Sequence, residues 1–402
     1  AAGLREAREW AVMRFDREDK SLIADWWFTV DRVLLAAILE LMGVGVIVSL
    51  AASPAVADSK GLEAFYFVKR HVVIVLAGAL LMVTLSLQSP RMIRRIALVT
   101  FLVSIAAMVY ILVAGEAVNG ARRWVRVMGM SLQPSELAKP AFIVLAAWAF
   151  AEWERRRDMP ALPIAIALYA CFLGLLALQP DVGQSFLVTV VWAALFLLAG
   201  LSFFWVVGLV ALTVAGVVVA YVTLPYVAAR IDVFLSADAA ATSQVARAYE
   251  SFRIGGLFGR GPGEGTIKTV LPDAHTDIIF AVIAEEYGVI ACLALLALYG
   301  LIVFRALVLA IKVQDLSIRY AASGLALLIG LQALINMGVN VGLLPAKGMT
   351  LPFISAGGSS LIAVSLTFGM MLSLTRREGV RLPDEAAHRV DIGQFDHGAY
   401  SK

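Results

Sequence analysis

The sequence predicts an all-α polytopic membrane protein. About ten transmembrane helices are expected, with both termini cytoplasmic and a large outer loop between helices 7 and 8. Three observations carry this. The 402 residues are 61% hydrophobic and only 16% charged, with a mean hydropathy of +0.85, whereas soluble domains run at roughly 45–50% apolar and 25% charged. Apolar stretches of about spanning length recur along the chain. Basic residues gather in alternate short loops, as the positive-inside rule requires.

Residues 1–30 are polar and rich in Arg and acids, and they end at Trp26 and Trp27, which mark a membrane interface. No early apolar run is present, so no cleavable signal is expected. Spans are predicted near 32–52, 68–88, 94–114, 135–152, 162–179, 182–200, 203–223, 276–304, 318–343 and 352–374. Arg91, Arg94 and Arg95, then Arg155 to Arg157, then Arg305, Lys312 and Arg319, then Arg376, Arg377 and Arg381 all fall on one side. That side is the cytoplasm. The division is therefore a cytoplasmic tail over 1–30, a membrane domain over 31–375 containing a large periplasmic loop over 223–275, and a second cytoplasmic tail over 376–402. No internal repeat is apparent, which disfavours an inverted-repeat transporter. Cys171 and Cys292 lie in apolar runs and read as core residues, and the four histidines form no ligand pattern.

Four constellations carry chemistry. In GARRWVRVMGMSLQPSELAKPAF, residues 120–142, three arginines oppose the orientation rule on the outer side: either they lie flat at the headgroup level or, the favoured reading, they meet an anion. Glu136 and Lys139 are three apart and share a helix face. Intramembrane charges more often line a cavity than merely fix packing. In GGLFGRGPGEGTIKTVLPDAHTD, residues 255–277, the glycines resemble a phosphate loop, but Ile267 separates Gly265-Thr266 from Lys268 and the nucleotide motif fails. These glycines either let backbone pass close to a ligand or neighbouring helix or form a flexible loop. Lys268 remains available to an anion.

The third constellation, VLPDAHTDIIFAVIAEEYG, residues 270–288, brings His275, Thr276 and Asp277 to the point where a polar loop enters an apolar helix. Asp277 is the leading residue. Glu285 lies about 12 Å further along a regular helix and about 80° around it, so the two do not touch. Glu285 and Glu286 read as structural, Glu285 holding a neighbouring helix. In the fourth, Gln332, Asn336 and Asn340 form a polar stripe suited to interhelical hydrogen bonds. GLLPAKGMTLPFISAGGSS, residues 342–360, follows as broken backbone of the kind that lines a cavity. Together these place Asp277, His275, Thr276, Arg122, Arg123, Arg126, Glu136, Lys139 and Lys347 at one outer-facing site. One carboxylate among cations suits an anionic lipid headgroup, with the carboxylate as a base and the cations facing a departing phosphate.

VNGARRWV, SLQPSELAK, LPDAHTDIIFAVIAEEYG and LLPAKGMTLPFISAGGSS, in this order, resemble the SEDS family (shape, elongation, division and sporulation) over nearly all of residues 30–375. The likeness is to its division branch of alphaproteobacterial type. The resemblance implies a SEDS fold and an inverting peptidoglycan glycosyltransferase. Its substrate would be lipid II, the disaccharide-pentapeptide on undecaprenyl diphosphate, polymerised at the outer face of the inner membrane at the division septum. It implies Asp277 as the catalytic residue, a general base or a metal ligand. The substrate-binding set becomes Arg122, Arg123, Trp124, Gln133, Ser135, Glu136, Lys139, Lys268, His275, Thr276, Lys347 and Ser359. No cofactor is fixed, a divalent cation such as Mg2+ or Mn2+ being the one candidate. The implied partners are a class B penicillin-binding protein of FtsI type, the FtsQ-FtsL-FtsB group and FtsN; no nucleic acid is implied. Two departures stand out: Asp273 where the family has Glu, and Ala356 where it has Tyr. A lipid-precursor flippase and a division scaffold are the alternatives. The outer-side clustering of the motifs disfavours the first, and the second leaves Asp277 and Lys139 without a task.

Overall fold

The computed structural model describes residues 22–59, 61–63, 65–115, 122–127, 130–156, 158–223, 225–235, 244–267, 276–345 and 348–377. The chain divides into two compact units, one of residues 31–375 and one of residues 1–30 with 376–402. In the second, α1 (Leu22–Thr29) carries the Trp26–Trp27 pair, and Arg377 donates its N–H to the Thr29 carbonyl at 3.0 Å.

The larger unit begins with α2 (Arg32–Ser59), α3 (Tyr66–Ser86) and α4 (Pro90–Ala114). Ser89 caps α4 by accepting from Met92 N, with Pro90 at the first helical position. A short hairpin follows, β1 (Val125–Val127) antiparallel to β2 (Met130–Leu132), with Val125 opposite Leu132. Next come α5 (Pro134–Arg155), α6 (Ala161–Leu178), α7 (Val182–Leu198) and α8 (Phe203–Thr223). Then α9 (Pro225–Leu235) and α10 (Gln244–Gly255) precede α11 (Ile279–Lys312), α12 (Leu316–Asn340) and α13 (Gly358–Leu374).

Among the described residues, seven helices are long and apolar enough to cross a membrane: α2, α3, α4, α6, α8, α11 and α12. The shorter apolar α7 and α13, and the more charged α5, occupy the other three expected spans. The structure moves some limits. The eighth span runs on to Lys312, because the apolar run continues past Arg305. The tenth starts at Gly358, because the segment after Pro352 is irregular until the Gly357 cap. The expected outer loop holds two helices, α9 and α10, and the hairpin was not expected.

The core centres on α5, which is buried along most of its length and packs against α4, α6 and α12. Phe142 of α5 meets Phe172 of α6 at 5.4 Å between ring centroids, and Tyr169 stacks on Trp192 at 4.5 Å. α13 packs along α3, where glycines allow close approach. A Cβ on Gly369 would come within 2.9 Å of the Met82 carbonyl oxygen. α8 has no buried residue.

Candidate active site

One end of the bundle collects a chain of buried polar groups. The ends of α4, α6 and α12 and the beginnings of α5, α7, α11 and α13 meet there. At the hub, Lys139 is 1% exposed. Its Nζ lies 2.8 Å from a Glu136 carboxylate oxygen and donates to Oε1 of Gln184 at 2.8 Å and of Gln332 at 3.0 Å. Gln184 in turn donates to the second Glu136 oxygen. A buried cation needs this much compensation, since desolvation costs several kcal/mol per ion.

From α5 the network reaches the turn between α6 and α7. Gln133 donates to Asp181 at 3.1 Å, and Asp181 caps α7 by accepting from Gln184 N. Arg123 crosses from the hairpin to donate to the carbonyls of Gln179 and Pro180, with its guanidinium 3.9 Å from Asp181. Burial pushes the Asp181 carboxyl above the usual carboxylate range, against the pull of Arg123. Arg123 is thus engaged by main-chain carbonyls. Arg122 points elsewhere, donating to the Leu112 carbonyl at 3.1 Å from an exposed position. Trp124 is 39% exposed. Ser135 is buried, with no partner for its hydroxyl among the described residues.

From Lys139 the network also runs through α12 to the leading carboxylate. Gln332 donates to the Thr350 carbonyl at 3.1 Å. One turn on, Asn336 donates to the carbonyls of Asp277 at 2.9 Å and Met349 at 2.6 Å. Another turn on, Asn340 donates to the same Asp277 carbonyl at 3.1 Å and accepts from Ala281 N at 3.2 Å. The stripe read from the sequence as interhelical glue therefore holds the main chain of Asp277. On its other side, Ser355 donates to the Thr276 carbonyl at 2.6 Å. The Asp277 carboxylate lies over the segment after Lys347, 3.5 Å from where a Cβ on Gly348 would stand. Thr350 and Ser360 share a hydroxyl–hydroxyl bond that ties this segment to the first turn of α13, beside Ser359. The remaining expected site residues, Lys268, His275 and Lys347, lie outside the described residues.

Glu285 and Glu286 take a different role. Glu285 accepts from the N–H groups of Thr266 at 2.6 Å and Ile267 at 3.1 Å, and Glu286 accepts from Gly263 N at 2.9 Å. What Glu285 holds is the loop after α10, not a neighbouring helix. The glycines allow the close passage. A Cβ on Gly259 would sit 2.2 Å from the Glu286 carbonyl oxygen, and Gly288 breaks α11 with φ of 80°.

Among the described residues no group of three His, Cys, Asp or Glu side chains could hold a metal ion. The residues missed from the sequence are Asp181, Gln184, Thr350, Ser355 and Ser360. The one available signal was Gln184, an amide within an apolar run.

Residues 32–379 match the FtsW/RodA/SpoVE family model, described as cell cycle protein. The chain is 45% identical over 368 residues to the probable peptidoglycan glycosyltransferase FtsW of Caulobacter vibrioides, covering 91% of this chain and 94% of that protein. It is 37% identical to the protein of the same description from Halomonas elongata, over 89% and 94% of the two chains. Among solved structures it resembles a chain of a peptidoglycan synthase complex described as coordinating polymerization and crosslinking, with a TM-score of 0.71 and 29% identity over 86% and 97% of the chains. It also resembles the rod shape determining protein RodA of Thermus thermophilus, with a TM-score of 0.65 and 28% identity over 88% and 99%. The fold, the motifs in their order and the near-complete coverage agree: the chain belongs to the FtsW/RodA/SpoVE, or SEDS, family of multi-pass membrane proteins.

Proposed function

We propose that this chain is a peptidoglycan glycosyltransferase of FtsW type that polymerises lipid II. The observation that carries the reading is the clamp on Asp277. Two buried amides of α12 hold its carbonyl, and the same helix face holds Lys139 through Gln332. A carboxylate on so fixed a backbone is preorganised to act as a base. The names of the relatives support the reaction class.

In the proposed step, Asp277 accepts the proton of the acceptor's GlcNAc 4-hydroxyl as that oxygen attacks C1 of the donor's MurNAc. The new C1–oxygen bond forms as the bond from C1 to the diphosphate oxygen breaks, with inversion. Undecaprenyl diphosphate carries the electron pair away. Base catalysis of this kind supplies about 10²–10⁴-fold; positioning and charge stabilisation supply the rest. No step runs through a metal. A crosslinking penicillin-binding protein of FtsI type is the proposed partner, supported by the solved complex that joins polymerization to crosslinking. The FtsQ-FtsL-FtsB group, FtsN and the septal inner membrane complete the proposal.

The test is glycan polymerisation from purified lipid II with the partner complex present, comparing the parent with Asp277→Asn. Polymer from the parent and none from a folded, partner-binding variant is expected. Equal polymer from both would remove Asp277 as the base.

A further inference from the structure

A second polar cluster, at the same end of the bundle, has no task in that scheme. α3 and α13 run parallel, since their contacts advance together. Ile74 lies at Gly358, Gly78 at Leu361 and Ser365, and Met82 and Leu85 at Gly369. Those four α3 residues fall within about 80° of helical arc, and His71, seven residues before Gly78, falls inside the same arc. His71 therefore faces the start of α13, level with its cap. It is 2% exposed, and neither ring nitrogen has a hydrogen-bond partner among the described residues.

The start of α13 reaches the surface at its cap. Its cap is Gly357, with no side-chain cap bond, so its first N–H groups point outward with the positive end of the helix dipole. Residues 356–358 are partly exposed. Arg70 extends over this turn, its Nη2 lying 3.8 Å from where a Cβ on Gly358 would be. Arg70 makes no ion pair or hydrogen bond among the described residues. An uncapped helix start, an unengaged guanidinium and a buried imidazole without a partner converge here. Each is a donor that an oxyanion satisfies.

We propose that this turn binds a phosphate-bearing lipid headgroup, held by Arg70, His71 and the first N–H groups of α13. Two lipids present that chemistry at a membrane surface: an anionic phospholipid and a polyprenyl diphosphate. The second case rests on the glycosyltransferase reading. The Thr350–Ser360 bond would then join the diphosphate-binding turn to the segment beneath Asp277.

The test uses the full chain in phosphatidylcholine nanodiscs, titrated separately with undecaprenyl diphosphate and phosphatidylglycerol, with bound lipid read by native mass spectrometry. Arg70→Gln and His71→Gln are expected to raise the Kd of one probe about tenfold or more, as loss of a hydrogen bond to a charged group implies. Arg70→Lys should raise it less. Asp277→Asn should leave it unchanged while abolishing polymer, which separates this site from the base. Weakened diphosphate binding identifies the substrate lipid, and weakened phosphatidylglycerol binding identifies a bilayer lipid; either supports the site. No binding of either probe to the parent, or unchanged Kd for both probes in folded variants, overturns it. If His71→Gln fails to fold, the partly exposed Arg70 decides alone.

Discussion

At the scale of single residues, the Glu136–Lys139 pair and the Asn336–Asn340 clamp make distinct predictions. Lys139→Met leaves Glu136 buried without its cation, and should lower stability by about 3–5 kcal/mol. Adding Glu136→Gln should recover most of that, as thermal unfolding of the single and double variants would show. Asn336→Leu removes the bonds to Asp277 and Met349 without touching substrate. A backbone shift of about 1 Å at a reacting group costs about 10²-fold, so kcat should fall on that order while KM holds. An equal rise in KM would mark Asn336 as a substrate contact instead. Glu136 and Lys139 were legible in the sequence because three residues on a helix bring them together. Their partners were not. Gln184 is 45 residues from Lys139, and Gln332 is 193. An amide within an apolar run shows that a partner exists without showing which one.

At the scale of elements, the loop after α10 and the first half of α11 complete one another. Val289 N donates to the Gly256 carbonyl at 2.9 Å and Ile290 N to that of Leu257 at 3.3 Å, satisfying donors released where Gly288 breaks the helix. Gly259→Ala places a methyl group against the Glu286 carbonyl and strains a φ of 80°. It should release the loop, seen as faster proteolysis after Arg260, and lower polymerisation with it. The sequence showed glycines and two glutamates but could not choose between a supple loop and close passage, because the choice depends on what lies opposite. Three helix starts are fixed by caps that the structure shows: the side chains of Ser89, Asp181 and Asp315 each accept from an N–H three residues on.

For the whole molecule, the two ends of the bundle contrast. One carries the long buried network. The other is fastened by separate ties: Arg305 to Asp31 at 2.7 Å, Arg155 to Asp315 at 2.9 Å and Tyr320 to Glu154 at 2.7 Å. Burial would raise the Asp315 carboxyl, but hydrogen bonds from Arg155 and Ile318 N outweigh it and hold the group below its usual range. Its contribution to stability is therefore complete above its unfolded value of 3.8 and lost as pH falls through the lower folded value. Asp315→Asn should flatten that acid limb of the melting-temperature profile and lower the neutral-pH melting temperature by the same small amount, since exposed pairs contribute little.

α8 stands apart from this tight construction. None of its 21 residues is buried, whereas α5 is enclosed nearly throughout. Within this chain α8 is therefore held by its length and apolar character rather than by the packing of any side chain. Descendants should scramble Phe203–Thr223 freely while hardly altering Pro134–Ala151. An unrelated apolar segment of equal length, transplanted there, should be inherited without penalty.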